Sequence, residues 1–318
     1  MQKTTNKYIY TYAYRKEENS LCELELRAFF NTDFIEDSSV IVSNILVNPS
    51  RSTFLRDRMD VMFEGDSLQE IVDQVRRINV TPLTYKVLYL KGEDEGLEKI
   101  TLSERRRIER EVGLQIEGEP DLLKPDKLFA VIIVNGRWYF GDYEKSEAVW
   151  LHHQKKPNDY STALNTRMAR AIANIAVPFP EGIKAIDPCC GIGTVLVEAL
   201  SMGINIVGSD VNPLVLTGAR ENIAHFGYTC EVKKRDIRDV VNRYDVAIID
   251  LPYNLCSVIT QEQQLEMLQC AHRIADKLVL VTIETIDDVI EDAGFTIHDR
   301  CEVKKGKLLR QIIVCTKD

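Results

Sequence analysis

The sequence has no apolar run near the roughly 20 residues needed to span a bilayer. Its opening, Met1-Gln2-Lys3-Thr4-Thr5-Asn6, has neither the basic start nor the apolar centre of a secretion signal. A cytoplasmic chain with no membrane partner is the expectation. Eight cysteines occur without a Cys-x-x-Cys pair, and Cys189 and Cys190 are adjacent, which argues against a disulfide framework or a zinc site. His152 and His153 are neighbours with no carboxylate or thiol at ligand spacing, so no metal is expected. Basic residues do not dominate either: 40 Lys and Arg against 49 Asp and Glu give a net charge of −9. That balance excludes wholesale coating of nucleic acid. It leaves room for a local basic patch, because phosphates respond to charge within a Debye length of about 10 Å. With 318 residues, 45% hydrophobic and 28% charged, the chain can build two or three globular domains.

What is present is concentrated between Lys184 and Asn254. Lys184-Ala185-Ile186 reads as a short buried strand, Asp187 to Thr194 as a sharp turn, and Val195 to Ser201 as an apolar-periodic helix. Such a turn aims helix-start amides at a ligand, and Gly191 and Gly193 let backbone approach it without a Cβ in the way. Dinucleotide-binding domains use a glycine-rich turn too. Here the third glycine of their fingerprint is absent, with Leu196 in its place. Asp187 would repel a pyrophosphate and attract a methionine ammonium. S-adenosylmethionine is therefore the expected cofactor, held at this turn by Asp187, Cys189, Gly191 and Gly193.

Two further acidic turns continue the pattern. Asp210, with Val211 beside it, ends a second strand and is placed to accept from both ribose hydroxyls. Capping of the helix that starts near Pro213 is the alternative. Asp236, with Ile237 beside it, follows a more polar strand, Thr229 to Lys233, and is placed for an adenine amino group or for a turn cap.

Asp250-Leu251-Pro252-Tyr253 is similar to the Asp/Asn-Pro-Pro-Tyr signature of methyltransferases that modify an exocyclic amino nitrogen. The lone pair of such a nitrogen is delocalised into the ring. A carboxylate and a backbone carbonyl that accept its two hydrogens draw the lone pair out of the plane. Asp250 supplies the first acceptor and the carbonyl of Leu251 the second. Pro252 keeps Leu251 extended, and Tyr253 offers a stacking face for a flipped base. Leu251 replaces the first proline of the signature, which leaves the carbonyl but a less rigid turn.

Before residue 145 the patterns predict strands at 7–15, 40–47 and 84–89 and helices from Ser20, over 68–78 and over 99–112. A hairpin, 128–135 with 137–143, turns on Asn135-Gly136. This mixture predicts one or two small α+β units. Arg51, Arg56 and Arg58 stand among hydroxyl residues and are candidates for RNA phosphates. Arg105, Arg106, Arg107 and Arg110 interleave with glutamates and read as a solvated helix face. Residues 150–159 read as a linker whose Lys155 and Lys156 approach the substrate, followed by a helix over 163–175. Beyond Asn254 come a helix over 261–275, a strand over 277–283, a helix over 286–293, and a closing hairpin, 295–304 with 308–316. Its Lys304, Lys305, Lys307 and Arg310 either touch RNA or solubilise the hairpin.

Taken together, the chain resembles THUMP-containing RNA methylases of the tRNA guanosine N2-methyltransferase group. Tyr14 to Phe30 is similar to their ferredoxin-like unit. Asn48-Pro49-Ser50-Arg51-Ser52 and the hairpin ending Trp138-Tyr139-Phe140-Gly141 are similar to the THUMP region. Lys156-Pro157-Asn158-Asp159-Tyr160 through Ala171 is similar to the segment leading into the catalytic domain. The resemblance implies an α/β fold: a Rossmann-like, seven-stranded, S-adenosylmethionine-dependent methyltransferase domain after an α+β ferredoxin-like/THUMP RNA-binding region. The expected division is 1–150, a linker and leading helix over 151–180, and a catalytic domain over 181–318. It also implies tRNA as partner, with guanosine 10 the first candidate target and guanosine 6 the next, and leaves open a small activating protein or a homodimer. An amino methyltransferase for rRNA, DNA or protein glutamine, and an inactive RNA-binding module, are the competing readings. The intact Asp187, Asp210 and Asp250 count against the module.

Overall fold

The computed structural model describes residues 6–32, 38–92, 100–160, 163–254, 257–258, 260–305 and 308–317. The side chains of residues 253–254, 257–258, 305 and 308 lie outside that description. The chain folds as two compact units, interleaved in sequence. The first comprises Met1–Ala13, Asp33–Ser50 and Phe54–Glu147. The second comprises Tyr14–Thr32, Arg51–Thr53 and Ala148–Asp318.

Helix α1 (Asn19–Phe30) therefore belongs with the second unit, whereas the sequence pattern put it with the N-terminal one. The reason is its buried face, where Leu21, Leu24, Leu26 and Phe29 accompany a fully buried Glu25. Glu25 accepts hydrogen bonds from Ser52 Oγ and, at 2.8 Å, from Asn174 Nδ2. A buried carboxyl needs such partners, and all of them lie in the second unit.

The first unit is a seven-stranded mixed sheet. In chain order its strands are β1 (Tyr8–Tyr12), β2 (Val40–Ser43), β3 (Leu55–Gly65), β4 (Asn79–Tyr89), β5 (Glu117–Pro120), β6 (Lys127–Val134) and β7 (Arg137–Lys145). Their spatial order is β2-β1-β3-β7-β6-β4-β5, with β4 parallel to β5 and β6 and the other pairs antiparallel. Helices α2 (Leu68–Val75) and α3 (Leu102–Gly113) start at Ser67 and Thr101, whose side chains cap Glu70 and Glu104 amides. Their Ile71, Val75, Ile108 and Val112 pack on Phe129 and Val131 of β6, while the alternate Ala130, Ile132 and Val134 join a second cluster with Ile9 and Met59. Asn135 and Gly136 take φ of 50° and 75°, the positive values that a two-residue hairpin turn requires. Tyr8, Tyr10 and Tyr12 are buried, and the Tyr10 hydroxyl donates to Ile45 O at 2.9 Å, so these rings are part of the core.

The second unit carries β8 (Lys184–Asp187), β9 (Asn205–Asp210), β10 (Val232–Lys234), β11 (Tyr244–Asp250) and a two-strand hairpin of β12 (Tyr253–Asn254) and β13 (Ser257–Val258). It ends with β14 (Ala275–Thr282), β15 (Thr296–Lys305) and β16 (Leu308–Thr316). The main sheet runs β10-β9-β8-β11-β14-β16-β15. Its first five strands are parallel, β16 is antiparallel to β14, and β15 is antiparallel to β16. Helices α4 (Trp150–His153), α5 (Thr166–Ala176), α6 (Thr194–Ser201), α7 (Pro213–His225), α8 (Gln261–Ile274) and α9 (Asp287–Asp292) complete it. Leu268, Ile274 and Ile290 of α8 and α9 pack on Ala247, Ile249 and Leu280 of the sheet. Because the five strands are parallel, β8, β9, β10 and β11 all deliver their carboxyl ends to one edge. An aspartate sits at or just past each of those ends.

Candidate active site

That edge opens onto a cavity of about 720 Å³ lined in part by Cys189, Gly191, Asp210, Val211, Asp236 and Asp250. Ile237, Leu251 and Pro252 complete the predicted set within it. Asp187 lies behind this lining, 4% exposed, with its carboxylate accepting from Cys189 N at 3.1 Å. Burial pushes its pKa well above the usual 3.8, and the charges of Asp210 and Asp250 push the same way. A cationic ligand would offset that cost, which fits the ammonium and sulfonium of S-adenosylmethionine.

Asp210 fastens the end of β9 to the glycine turn. One carboxylate oxygen accepts from Gly191 N and the other from Asn212 N, both at 2.9 Å. Asn212, not Asp210, caps α7, accepting from Leu214 N at 3.0 Å. Asp236 is the N-cap of a short 3-10 turn and pairs with Arg238, whose guanidinium reaches it at 2.7 Å. The hydrogen bond from Arg238 holds its carboxyl below the usual range. Both acids therefore reach the cavity while already accepting hydrogen bonds from the chain.

Gly193 takes φ of 76°, and a Cβ there would sit 3.3 Å from Ala219 Cβ. A third glycine in this turn is not needed, because room is made on the opposing strand. A Cβ on Gly208 of β9 would lie 2.5 Å from Leu196 Cδ1. The close helix-to-strand contact is thus kept, with the small residue moved from α6 to β9. Spacing alone hides this exchange.

At the end of β11, the Leu251 amide donates to Val281 O at 2.9 Å, one step beyond the pairing of Asp250 with Val281. The Leu251 side chain is 3% exposed and packs in the core with Leu268 and Leu280. This anchoring supplies the rigidity that a proline would otherwise give. Tyr253 enters β12, and its side chain lies outside the described residues.

The basic candidates fare differently. Arg51 lies in the second unit and Arg56 and Arg58 in the first. Arg51 donates to Pro178 O at 2.6 Å, Val177 O at 2.9 Å and Asn174 Oδ1 at 3.3 Å. Burial lowers its pKa to about 10. Arg58, 14% exposed, pairs with Asp60 and with Glu144 at 2.8 Å. Both guanidinia fasten the fold, so the expected phosphate contacts are corrected for these two, while Arg56 is exposed. Lys155 is exposed, and Lys156 is mostly covered and paired with Asp159 at 3.2 Å. The expected linker contains α4, whose buried His153 bonds Glu198 Oε1 at 2.7 Å.

Sequence reasoning missed Tyr160 as a site residue. It lines the cavity, and its hydroxyl lies 2.9 Å from where a Cβ on Gly191 would be. Burial raises its pKa, and the charges of Asp250, Asp210 and Asp187 add to the rise. The segment is held there by the fully buried Asn222 of α7. Asn222 accepts from Asn158 N at 2.9 Å and donates to Asn158 O at 3.0 Å and Ile192 O at 2.9 Å. No local pattern marks such a long-range clamp.

Residues 153–287 match the family of RMKL-like methyltransferase domains, UPF0020. A tRNA (guanine(10)-N2)-dimethyltransferase from Methanothermobacter thermautotrophicus is 28% identical over 227 residues, covering 65% of this chain and 67% of that protein. The protein of the same name from Methanocaldococcus jannaschii is 24% identical over 232 residues, covering 67% of this chain and 60% of its own length. TrmN from Thermus thermophilus matches in structure with a TM-score of 0.50 at 16% identity, covering 98% of this chain and 100% of that one. At that identity the likeness concerns the fold. The second unit has the Rossmann-like methyltransferase fold, and S-adenosylmethionine is the cofactor of that fold.

Proposed function

We propose that the chain is an S-adenosylmethionine-dependent RNA methyltransferase that modifies the exocyclic N2 amino group of a guanosine in tRNA, position 10 first and position 6 next. The observation that carries this reading is the end of β11, where Asp250 and the ladder-held Leu251 border the acid-lined cavity. The two relatives named above support the choice of guanine N2 and of tRNA. The cofactor, when bound, supplies a methyl group on a positively charged sulfur. Asp187, Asp210 and the glycine turn hold it, with Asp236 and Ile237 at the adenine end. Asp250 and the carbonyl of Leu251 accept the two amino hydrogens and so turn the nitrogen lone pair away from the ring. The nitrogen gives up one of these protons as the new N–C bond forms, to Asp250 or to water.

In this reading the first unit is a ferredoxin-like/THUMP region that docks the RNA. Arg56 and Lys155 remain as the exposed cations from the predicted set. Incubation of the protein with labelled S-adenosylmethionine and tRNA, rRNA fragments, DNA or peptide tests the proposal. Label in tRNA, recovered as N2-methylguanosine, is expected. Label in DNA or peptide alone, or in no substrate, contradicts it.

A further inference from the structure

A second cavity, of about 680 Å³, shares one wall with the first. The common residue is Tyr160. The floor is built from Trp150, Leu164 and Thr166, all buried, and the rim carries the exposed Arg15, Leu151 and Gln154. Arg167 stacks over the Trp150 ring at 4.8 Å and is fixed by a bidentate pair with Glu18, at 2.8 and 2.9 Å. The volume falls within the roughly 300–1,000 Å³ range of small-ligand pockets, large enough for one nucleotide.

The two cavities differ in charge. The first presents Asp210, Asp236, Asp250 and Glu266 against a single cation, Arg238. A phosphate entering there meets three uncompensated negative charges. In the second, Glu18 is paired with Arg167 and Asp159 with Lys156, which leaves Arg15 as the excess cation. No hydrogen-bond or ion-pair partner of the Arg15 side chain is found among the described residues. A substrate with a polar base and a charged backbone is thus sorted by the wall between: base edge toward Asp250, phosphate toward Arg15.

We infer that the Trp150–Arg15 cavity binds one nucleoside 5′-phosphate unit of the RNA, flanking the methylated nucleotide, with its phosphate at Arg15 and its base against the Trp150–Leu151 side. Aromatic and guanidinium planes are the surfaces on which unpaired bases stack. Tyr160 then separates the nucleotide being methylated from its neighbour. This assignment rests on the RNA-methylating reading above, and its test does not require methyl transfer.

The chain contains two tryptophans. In a Trp138→Phe background Trp150 is the only indole, and a ligand in this cavity lies against it. The protein, saturated with S-adenosylhomocysteine, is titrated with guanosine 5′-monophosphate and separately with guanosine, following tryptophan emission. A saturable change is expected, with the monophosphate bound roughly fivefold more tightly, the size of one exposed charge contact. Arg15→Ala should remove that preference and leave S-adenosylhomocysteine affinity unchanged. No saturable change with the monophosphate, or equal affinity for the two ligands in the Arg15-containing protein, overturns the inference. Transfer to tRNA without monophosphate binding sinks this cavity assignment alone. Monophosphate binding without transfer to any RNA sinks the proposed function and leaves the nucleotide site standing.

Discussion

The acids and the bases of this chain make an instructive pair. Asp187, Asp210, Asp236 and Asp250 stand out in the sequence by their places at strand ends, and three of them line one cavity with the fourth buried behind that lining. Arg51, Arg56 and Arg58 cluster in sequence, and the fold sends the first to one unit and the others to a second. Position along a parallel strand fixes where a side chain goes, because every such strand ends at the same edge. Sequence proximity of arginines does not. A guanidinium has five donors and serves equally well to bind phosphate or to hold carbonyls at a helix end. Arg51 does the second, at Val177 and Pro178.

Substitutions in the glycine turn should give the largest effects. Gly193→Val forces a branched residue to φ of 76° and drives its Cβ toward Ala219, 3.3 Å away. S-adenosylmethionine binding should be lost while far-UV circular dichroism is retained. Calorimetric affinity equal to the unmodified protein would break the assignment of the turn.

Asp210→Ala comes next. It removes acceptors for Gly191 N and Asn212 N as well as the proposed ribose contact. Cofactor affinity should fall by about 1.5–3 kcal/mol, the scale of a charge-assisted hydrogen bond. Asp210→Asn, which keeps an acceptor, should lose less.

The arginines sharpen the comparison from the other side. Arg51→Ala should lower unfolding stability by about 1–3 kcal/mol, since it strips donors from partly buried carbonyls. The salt slope of RNA binding should not change. Arg56→Ala should instead reduce the slope by about one counterion. Equal salt slopes for wild type and Arg56→Ala would move the RNA surface elsewhere, with Lys155 the next residue to test.

A smaller effect concerns protons. Asp187 has its pKa raised by burial and by neighbouring carboxylates. Its contribution to folding is therefore full below the unfolded value near 3.8 and is lost as pH rises through the folded one. A cationic ligand favours the ionised form, so cofactor binding should release up to one proton and strengthen as pH climbs through that same window. Calorimetry in buffers of different ionisation enthalpy reads the release. Proton uptake on binding would contradict the placement of Asp187 beside the ammonium.

Legibility in the sequence followed the same physics. The Asn135-Gly136 hairpin is readable because two residues set it locally, whereas α3 starts after the Thr101 cap and not at the expected residue 99. Strand β3 has no counterpart among the expected elements, because Arg56, Asp57, Arg58 and Asp60 break the apolar alternation of a half-buried strand. It is a central strand because Asp57 accepts from Thr11 and Tyr143 hydroxyls while Arg58 pairs with Asp60 and Glu144. Helix α1 showed its apolar face but not its destination. That depends on Glu25 finding Ser52 and Asn174, contacts 27 and 149 residues away. In the site, the acids and glycines were legible, whereas Tyr160 and the Gly208–Leu196 exchange depend on packing between distant segments.

Asp250 tests the central claim most directly. If its carboxylate accepts a hydrogen of the target amino group, Asp250→Ala should bind tRNA and S-adenosylmethionine nearly as well as the unmodified protein. Methyl transfer measured in a single turnover, with both saturating, should slow by a factor on the order of 100 or more. Asp250→Asn, whose amide oxygen still accepts, should stay well above the alanine variant. Near-normal single-turnover transfer by Asp250→Ala would contradict amino-group activation at the end of β11.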